Sequence, residues 1–136
     1  MFEYRCNVVR VVDGDTVDVD IDLGFGVWMR KQRIRMYGID TPESRTRDLE
    51  EKKYGLAAKD FLYGLLDDPE GVTLRTHKDG KGKYGRILGE LWRTSTYSDK
   101  SVNEYMIEKH HAVRYMGQSK EDIEEAHIEN RKFVIL

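Results

Sequence analysis

The chain holds a single cysteine, Cys6, so no internal disulfide can form. Stability must come from packing. Cys6 lies in an apolar, strand-like run, which suits a small buried side chain better than a reactive thiol. Only two prolines are present, Pro42 and Pro69, and each stands where a patterned segment stops. No apolar run approaches the roughly twenty residues that a membrane-spanning helix needs, so no membrane role is expected. The chain also lacks an excess of basic charge. Lys and Arg number 23 against 25 Asp and Glu, for a net charge of -2 and a pI of about 6.1. Binders of polyanions are usually basic overall, so any basic surface here must be local. No repeat or low-complexity tract divides the sequence, and residues 1–136 read as one domain.

What is present is strong patterning. Hydrophobic residues make up 39% and charged residues 35%, the balance of a folded chain with a hydrated surface. Tyr4 to Val12 reads as a strand. Val17, Val19, Ile21 and Leu23 then alternate with Asp18, Asp20 and Asp22, a period of two with the acids outward. Those acids read as a solvated face that discourages edge pairing. Leu23-Gly24-Phe25-Gly26 is a turn. Val27 to Tyr37 forms the third strand and carries Arg30, Lys31, Arg33 and Arg35. Phe25 and Trp28 stand at this hairpin tip, where they suit either packing or stacking on a flat ring.

Tyr54, Ala57, Ala58, Phe61, Leu62, Leu65 and Leu66 recur at helical spacing, and Asp67-Asp68-Pro69 ends that helix. Val72 to Thr76 and Arg86 to Trp92 are two further strands. Ser101 with Glu104, and Ser119 with Asp122, have capping-box spacing and open two short helices, the second running to about Arg131. The expected fold is therefore α+β and mainly β, a five-stranded OB-type barrel with about three helices and one helix inserted between the third and fourth strands. His110-His111 has no partner at metal-ligand spacing and reads as helix-end surface.

The chemistry gathers at Arg35-Met36-Tyr37-Gly38-Ile39-Asp40-Thr41-Pro42-Glu43. Pro42 fixes its own φ and disfavours a helical Thr41, so the strand ends in a defined turn. Asp40 can hold a metal, Glu43 can take a proton, and Arg35 can meet an anion with two hydrogen bonds. Upstream lies Val11-Val12-Asp13-Gly14-Asp15-Thr16-Val17, and downstream lies Lys83-Tyr84-Gly85-Arg86. An EF-hand reading of the first fails, because neither Asp13 nor Asp15 has glycine at the sixth loop position.

These three segments, in this order and spacing, resemble the staphylococcal nuclease (thermonuclease) family, from about Val8 to about Tyr115. The resemblance implies a Ca²⁺-dependent nuclease acting on DNA, RNA or both with little sequence preference. It implies Asp15, Asp40 and the Thr41 carbonyl as Ca²⁺ ligands. Asp13 would bind through water or orient the site. It further implies Arg35, Glu43 and Arg86 as catalytic residues, with Lys83, Tyr84 and Tyr115 gripping the nucleic acid. Gly82 departs from the family's best-known member, which has an acid there.

A cytoplasmic monomer is expected, since the N-terminus has no signal-peptide organisation. The competing reading is a catalytically silent module of the same shape that binds nucleic acid or a protein partner. The presence of Asp13, Asp15, Arg35, Asp40, Glu43 and Arg86 together favours the enzyme. The expected polyanion-facing patch comprises Arg30, Lys31, Arg33, Arg45, Arg47, Lys81 and Lys83, with Asp18, Asp20 and Asp22 set apart from it.

Overall fold

The computed structural model describes residues 2–77, 85–95 and 99–136. Three strands come first: β1 (Glu3–Asp13), β2 (Thr16–Gly24) and β3 (Val27–Met36). A short β4 (Ile39–Asp40) precedes helix α1 (Leu49–Leu66). Then follow β5 (Val72–Thr76), β6 (Ile87–Arg93), helix α2 (Val102–Glu108), β7 (Val113–Arg114) and helix α3 (Lys120–Asn130), ending in a 3₁₀ turn at Arg131–Phe133. Strands β1, β2, β3, β6 and β5 close into a barrel in that order, and β4 pairs with β7 in a separate two-stranded sheet. The expected five-stranded OB-type barrel is present, with α1 between its third and fourth strands.

Period-two patterning explains the barrel interior. Val17, Val19, Ile21, Ile34, Met36, Val72, Leu74 and Leu91 are all buried. Each such side chain contributes about 1.5–3 kcal/mol relative to exposure. Cys6 is fully buried with them, and burial pushes its thiol up to about 12. Helix α1 seats Ala58, Leu62 and Leu66 against this core. It starts earlier than its apolar spacing alone suggests, because the Asp48 side chain accepts from the Glu50 and Glu51 N–H groups and caps it.

Register shifts, rather than alternation alone, shape the ribbon of β1, β2 and β3. Irregularities fall between Val8 and Arg10 and between Val11 and Asp13 on β1, and another falls between Val19 and Ile21 on β2. At the last of these Lys31 adopts a positive φ, and its N–H donates to Asp20 Oδ1 at 2.9 Å. Phe25 and Gly26 at the hairpin tip both have positive φ, the geometry that suits two-residue connections between twisted strands. Phe25 is fully exposed, and Trp28 lies beneath the Arg30 guanidinium at 4.8 Å.

Buried Asn103 on α2 ties the far side of the barrel together. Its amide donates to the Tyr37 carbonyl at 2.8 Å, and its oxygen accepts from the Leu91 N–H at 3.1 Å. Gly38, with φ +79, then turns the chain into β4. The Tyr115 N–H donates to the Gly38 carbonyl at 2.8 Å, so β7 pins this turn from outside. The histidine pair is not bare helix-end surface: His111 stacks on Phe61 at 4.6 Å and His110 on Phe133 at 4.5 Å. Among the described residues no helix is long and apolar enough to cross a membrane.

Candidate active site

Four pieces of chain meet at one rim of the barrel. The β1–β2 turn brings Asp13 and Asp15, the end of β3 brings Arg35, β4 and its continuation bring Asp40 to Ser44, and the start of β6 brings Arg86. Parallel pairing of β3 with β6 sets Arg35 opposite Leu88, close to the strand start that follows Arg86. The Met36 N–H donates to the Asp15 carbonyl at 2.9 Å and locks the first turn onto β3.

The side chains interlock. Asp15 Oδ1 accepts from the Thr16 hydroxyl at 2.9 Å, and its Oδ2 accepts from the Thr41 N–H at 3.2 Å. Arg35 Nη2 lies 3.6 Å from Asp15 Oδ2 and 3.5 Å from Asp40 Oδ1. One guanidinium therefore marks the point on which both carboxylates converge. The hydroxyl of buried Ser44 donates to Asp13 Oδ1, holding that acid beside the same turn. Asp40 Oδ2 faces the other way and accepts from His127 Nε2 on α3 at 2.7 Å.

Glu43 sits just past Pro42. Its N–H donates to Glu51 Oε2 in the first turn of α1 at 3.2 Å. Burial raises its carboxyl above the usual carboxylate range, and the charges of Asp15, Asp13, Asp40 and Glu51 push it further up. The carboxylates of Asp13, Asp15, Asp40 and Glu51 thus concentrate negative charge around Glu43. The donors that converge at Arg35 are carboxylate oxygens, a hard set that suits Ca²⁺ or Mg²⁺ and disfavours Zn²⁺. Among the described residues no three Asp, Glu, His or Cys side chains are grouped tightly enough to enclose an ion. A cation here would keep several waters, as a hard divalent ion with few protein ligands does.

A cleft of about 620 Å³ opens at this rim, with Arg35, Asp40, Thr41, Glu43, Arg86 and Tyr115 in its wall, while Asp15 and Asp13 join it through Arg35 and Ser44 rather than by lining it. The expected residues Arg35, Glu43, Arg86, Asp15, Asp40, Thr41, Asp13 and Tyr115 thus come together at one rim. Lys83, Tyr84 and Lys81 lie outside the described residues. Several site neighbours carry no motif. Ser44 and Glu51 tether Asp13 and Glu43, α3 lends Lys120 and His127 to the cleft, and the adjoining 3₁₀ turn lends Arg131. Only the fold reveals them, since α3 lies far along the chain from Asp40.

The expected basic patch is corrected at Arg30 and Arg33. Arg33 Nε lies 2.9 Å from Asp18 Oδ1, Arg10 lies 3.9 Å from the same carboxylate, and Arg30 lies 3.1 Å from Asp20. Asp18 and Asp20 do not sit apart from these arginines. They face them across the strands, because Asp18 registers opposite Arg33.

The fold and the site together define an OB-type α+β barrel with an acidic, arginine-flanked cleft at its rim. Residues 33–133 match the family model described as staphylococcal nuclease homologue, and the chain belongs to that family. It is similar to Thermonuclease of Staphylococcus hyicus, 38% identical over 90 residues that cover 66% of this chain and 49% of that protein. Thermonuclease of Staphylococcus intermedius is 36% identical over 85 residues, covering 62% of this chain and 46% of that protein. Endonuclease YhcR of Bacillus subtilis is 29% identical over 118 residues, 83% of this chain but 9% of that protein. The chain spans about half the length of the two thermonucleases it matches.

Proposed function

We propose that this chain is a Ca²⁺-dependent nuclease that hydrolyses phosphodiester bonds of DNA, RNA or both with little sequence preference. The observation that carries this reading is the convergence of Asp15 and Asp40 on Arg35, beside a Glu43 whose carboxyl is raised by burial and by those same acids. The names of the relatives, thermonuclease and endonuclease, support it. Asp15, Asp40 and the Thr41 carbonyl would hold the ion, with Asp13 reaching it through water. When bound, the ion would neutralise a phosphate and lower the cost of placing hydroxide near it.

The chain's own groups account for the rest. Glu43 accepts the proton of the attacking water. Burial raises its basicity above that of an exposed carboxylate. Arg35 and Arg86 donate hydrogen bonds to the phosphate oxygens on which charge develops. Tyr115 offers a ring against which a base can stack, and Lys83 and Tyr84 meet a terminal phosphate. Residues 1–136 act as one domain, and the protein works as a monomer.

The second reading is a silent module that binds nucleic acid or a protein partner without cleaving. The pairing of Arg10, Arg30 and Arg33 with Asp18 and Asp20 favours its protein-partner form, since it leaves less basic surface for a polyanion. Incubation with single- and double-stranded DNA and RNA, in Ca²⁺, Mg²⁺ or chelator, separates the two. Ion-dependent cleavage supports the nuclease. Retention of oligonucleotide without any cleavage supports the module.

A further inference from the structure

We propose that His127 is the positioning residue for Asp40, and that docking of α3 and loading of the metal site are one coupled equilibrium. This rests on the assignment of Asp40 as a metal ligand above. The two oxygens of Asp40 are divided between two partners. Oδ1 faces Arg35 and the Asp15 side, and Oδ2 takes the Nε2–H of His127 at 2.7 Å. The His127 side chain is only 12% exposed, so this bond is sheltered from water. Its Nδ1 is buried and has no hydrogen-bond partner among the described residues. The imidazole is thus committed through its other nitrogen. Rotating the Asp40 carboxylate would strand a second buried polar atom. A ligand carboxylate fixed by an outer hydrogen bond binds its ion more tightly than a free one, because less orientational freedom is lost.

The second half follows from how α3 is attached. None of its residues is buried. Its ties to the barrel include the His127–Asp40 bond, Asn130 donating to the Ala112 carbonyl at 3.2 Å, and the adjoining Arg131 lying over Tyr54 at 5.1 Å. An element with so little buried apolar surface undocks at low free-energy cost. If docked α3 raises the affinity of the site for its ion, the ion must stabilise docked α3 by the same factor. The ion would therefore also firm up the wall of the cleft to which α3 lends Lys120 and the adjoining 3₁₀ turn lends Arg131.

The test uses the full chain with Ca²⁺ alone, by titration calorimetry and by amide hydrogen exchange, on the wild type, His127→Leu and His127→Gln. His127→Leu removes the donor. It should weaken Ca²⁺ binding by roughly 10–100-fold, the usual effect of losing a partner of a metal ligand. His127→Gln, which can still donate, should recover part of that loss. Saturating Ca²⁺ should slow exchange across residues 120–130 in the wild type and not in His127→Leu, with barrel amides equally protected in both. Wild-type Ca²⁺ affinity in a folded His127→Leu would overturn the proposal while leaving the metal assignment intact. So would α3 exchange that ignores Ca²⁺ in the wild type. Absence of Ca²⁺ binding by the wild type would overturn the metal assignment and this proposal with it.

Discussion

Gly55 of α1 touches the backbone of Glu43. A Cβ placed on Gly55 would sit 2.2 Å from the Glu43 carbonyl oxygen and 2.7 Å from the Ser44 nitrogen. No side chain fits that gap, so glycine lets the helix lie directly beneath the loop that carries Glu43 and Ser44. Gly55→Ala should therefore push the loop off the helix, cost about 1–3 kcal/mol as overpacking does, and lower any activity that needs Glu43. Gly64 lies on the same helix with nothing within 4 Å of its added Cβ. Gly64→Ala should instead stabilise by about 0.5–1 kcal/mol and leave activity alone. Urea unfolding of both variants checks the pair, and equal effects would remove the special role of Gly55.

The catalytic assignment predicts rates. Glu43→Gln should lower turnover by roughly 10²–10⁴, the range for loss of a general base. Arg35→Ala and Arg86→Ala should each cost on the order of 10²–10³, as when one donor to a charged transition state is lost. The losses should fall on kcat more than on KM. Steady-state kinetics on an oligonucleotide decides, and a variant with near-normal kcat drops out of the mechanism.

Charge pairing on β2 and β3 predicts a gentle response to salt. With Arg10, Arg30 and Arg33 held by Asp18 and Asp20, few phosphates can be neutralised. Binding of an oligonucleotide to Glu43→Gln should show a log–log salt slope of roughly -2 to -4, against about -10 for extensive binders. Adding Asp18→Asn removes the acid that holds Arg10 and Arg33. It should tighten binding and steepen the slope. A slope unmoved by Asp18→Asn would mean that the substrate does not approach this ribbon.

His111 predicts part of the pH dependence of stability. Burial, aided by the charge of His110, holds its pKa below the ordinary 6.5. The unfolded chain therefore takes up the proton more readily than the folded one. This contribution to stability is complete above about pH 6.5 and is lost as pH falls through the lowered folded value. His111→Phe keeps an aromatic ring on Phe61 and cannot titrate. Its urea midpoint should decline less than that of the wild type between about pH 7.5 and 5.5. A wild-type midpoint that declines no faster than the variant's would contradict the assignment.

Much of this was legible in the chain because barrels alternate. Val17 to Leu23 could only be a strand with one wet face, and Asp15, Arg35 and Asp40 fell at strand ends where a rim must lie. Other features depended on distance or register. The partner of Asp40 is 87 residues away, on a helix with no buried face and so no apolar stripe to announce where it docks. The pairing of Asp18 with Arg33 follows from cross-strand register, which bulges and turns set and alternation does not. Ser44 and Glu51 carry no motif: Gly55 lets α1 lie against the Glu43–Ser44 backbone, which sets Glu51 of that helix at the Glu43 N–H.

The proposed nuclease activity requires that the acids at this rim hold an ion needed for phosphodiester cleavage. The most direct measurement is the initial rate of oligonucleotide cleavage by wild type and Asp40→Asn, in Ca²⁺ and then in chelator. Wild type should cleave in Ca²⁺, stop in chelator and recover when the ion is restored, while a folded Asp40→Asn stays at least 10²-fold slower in Ca²⁺, on the order expected when a main electrostatic element is lost. Cleavage that continues undiminished in chelator, or a fully active Asp40→Asn, would contradict it.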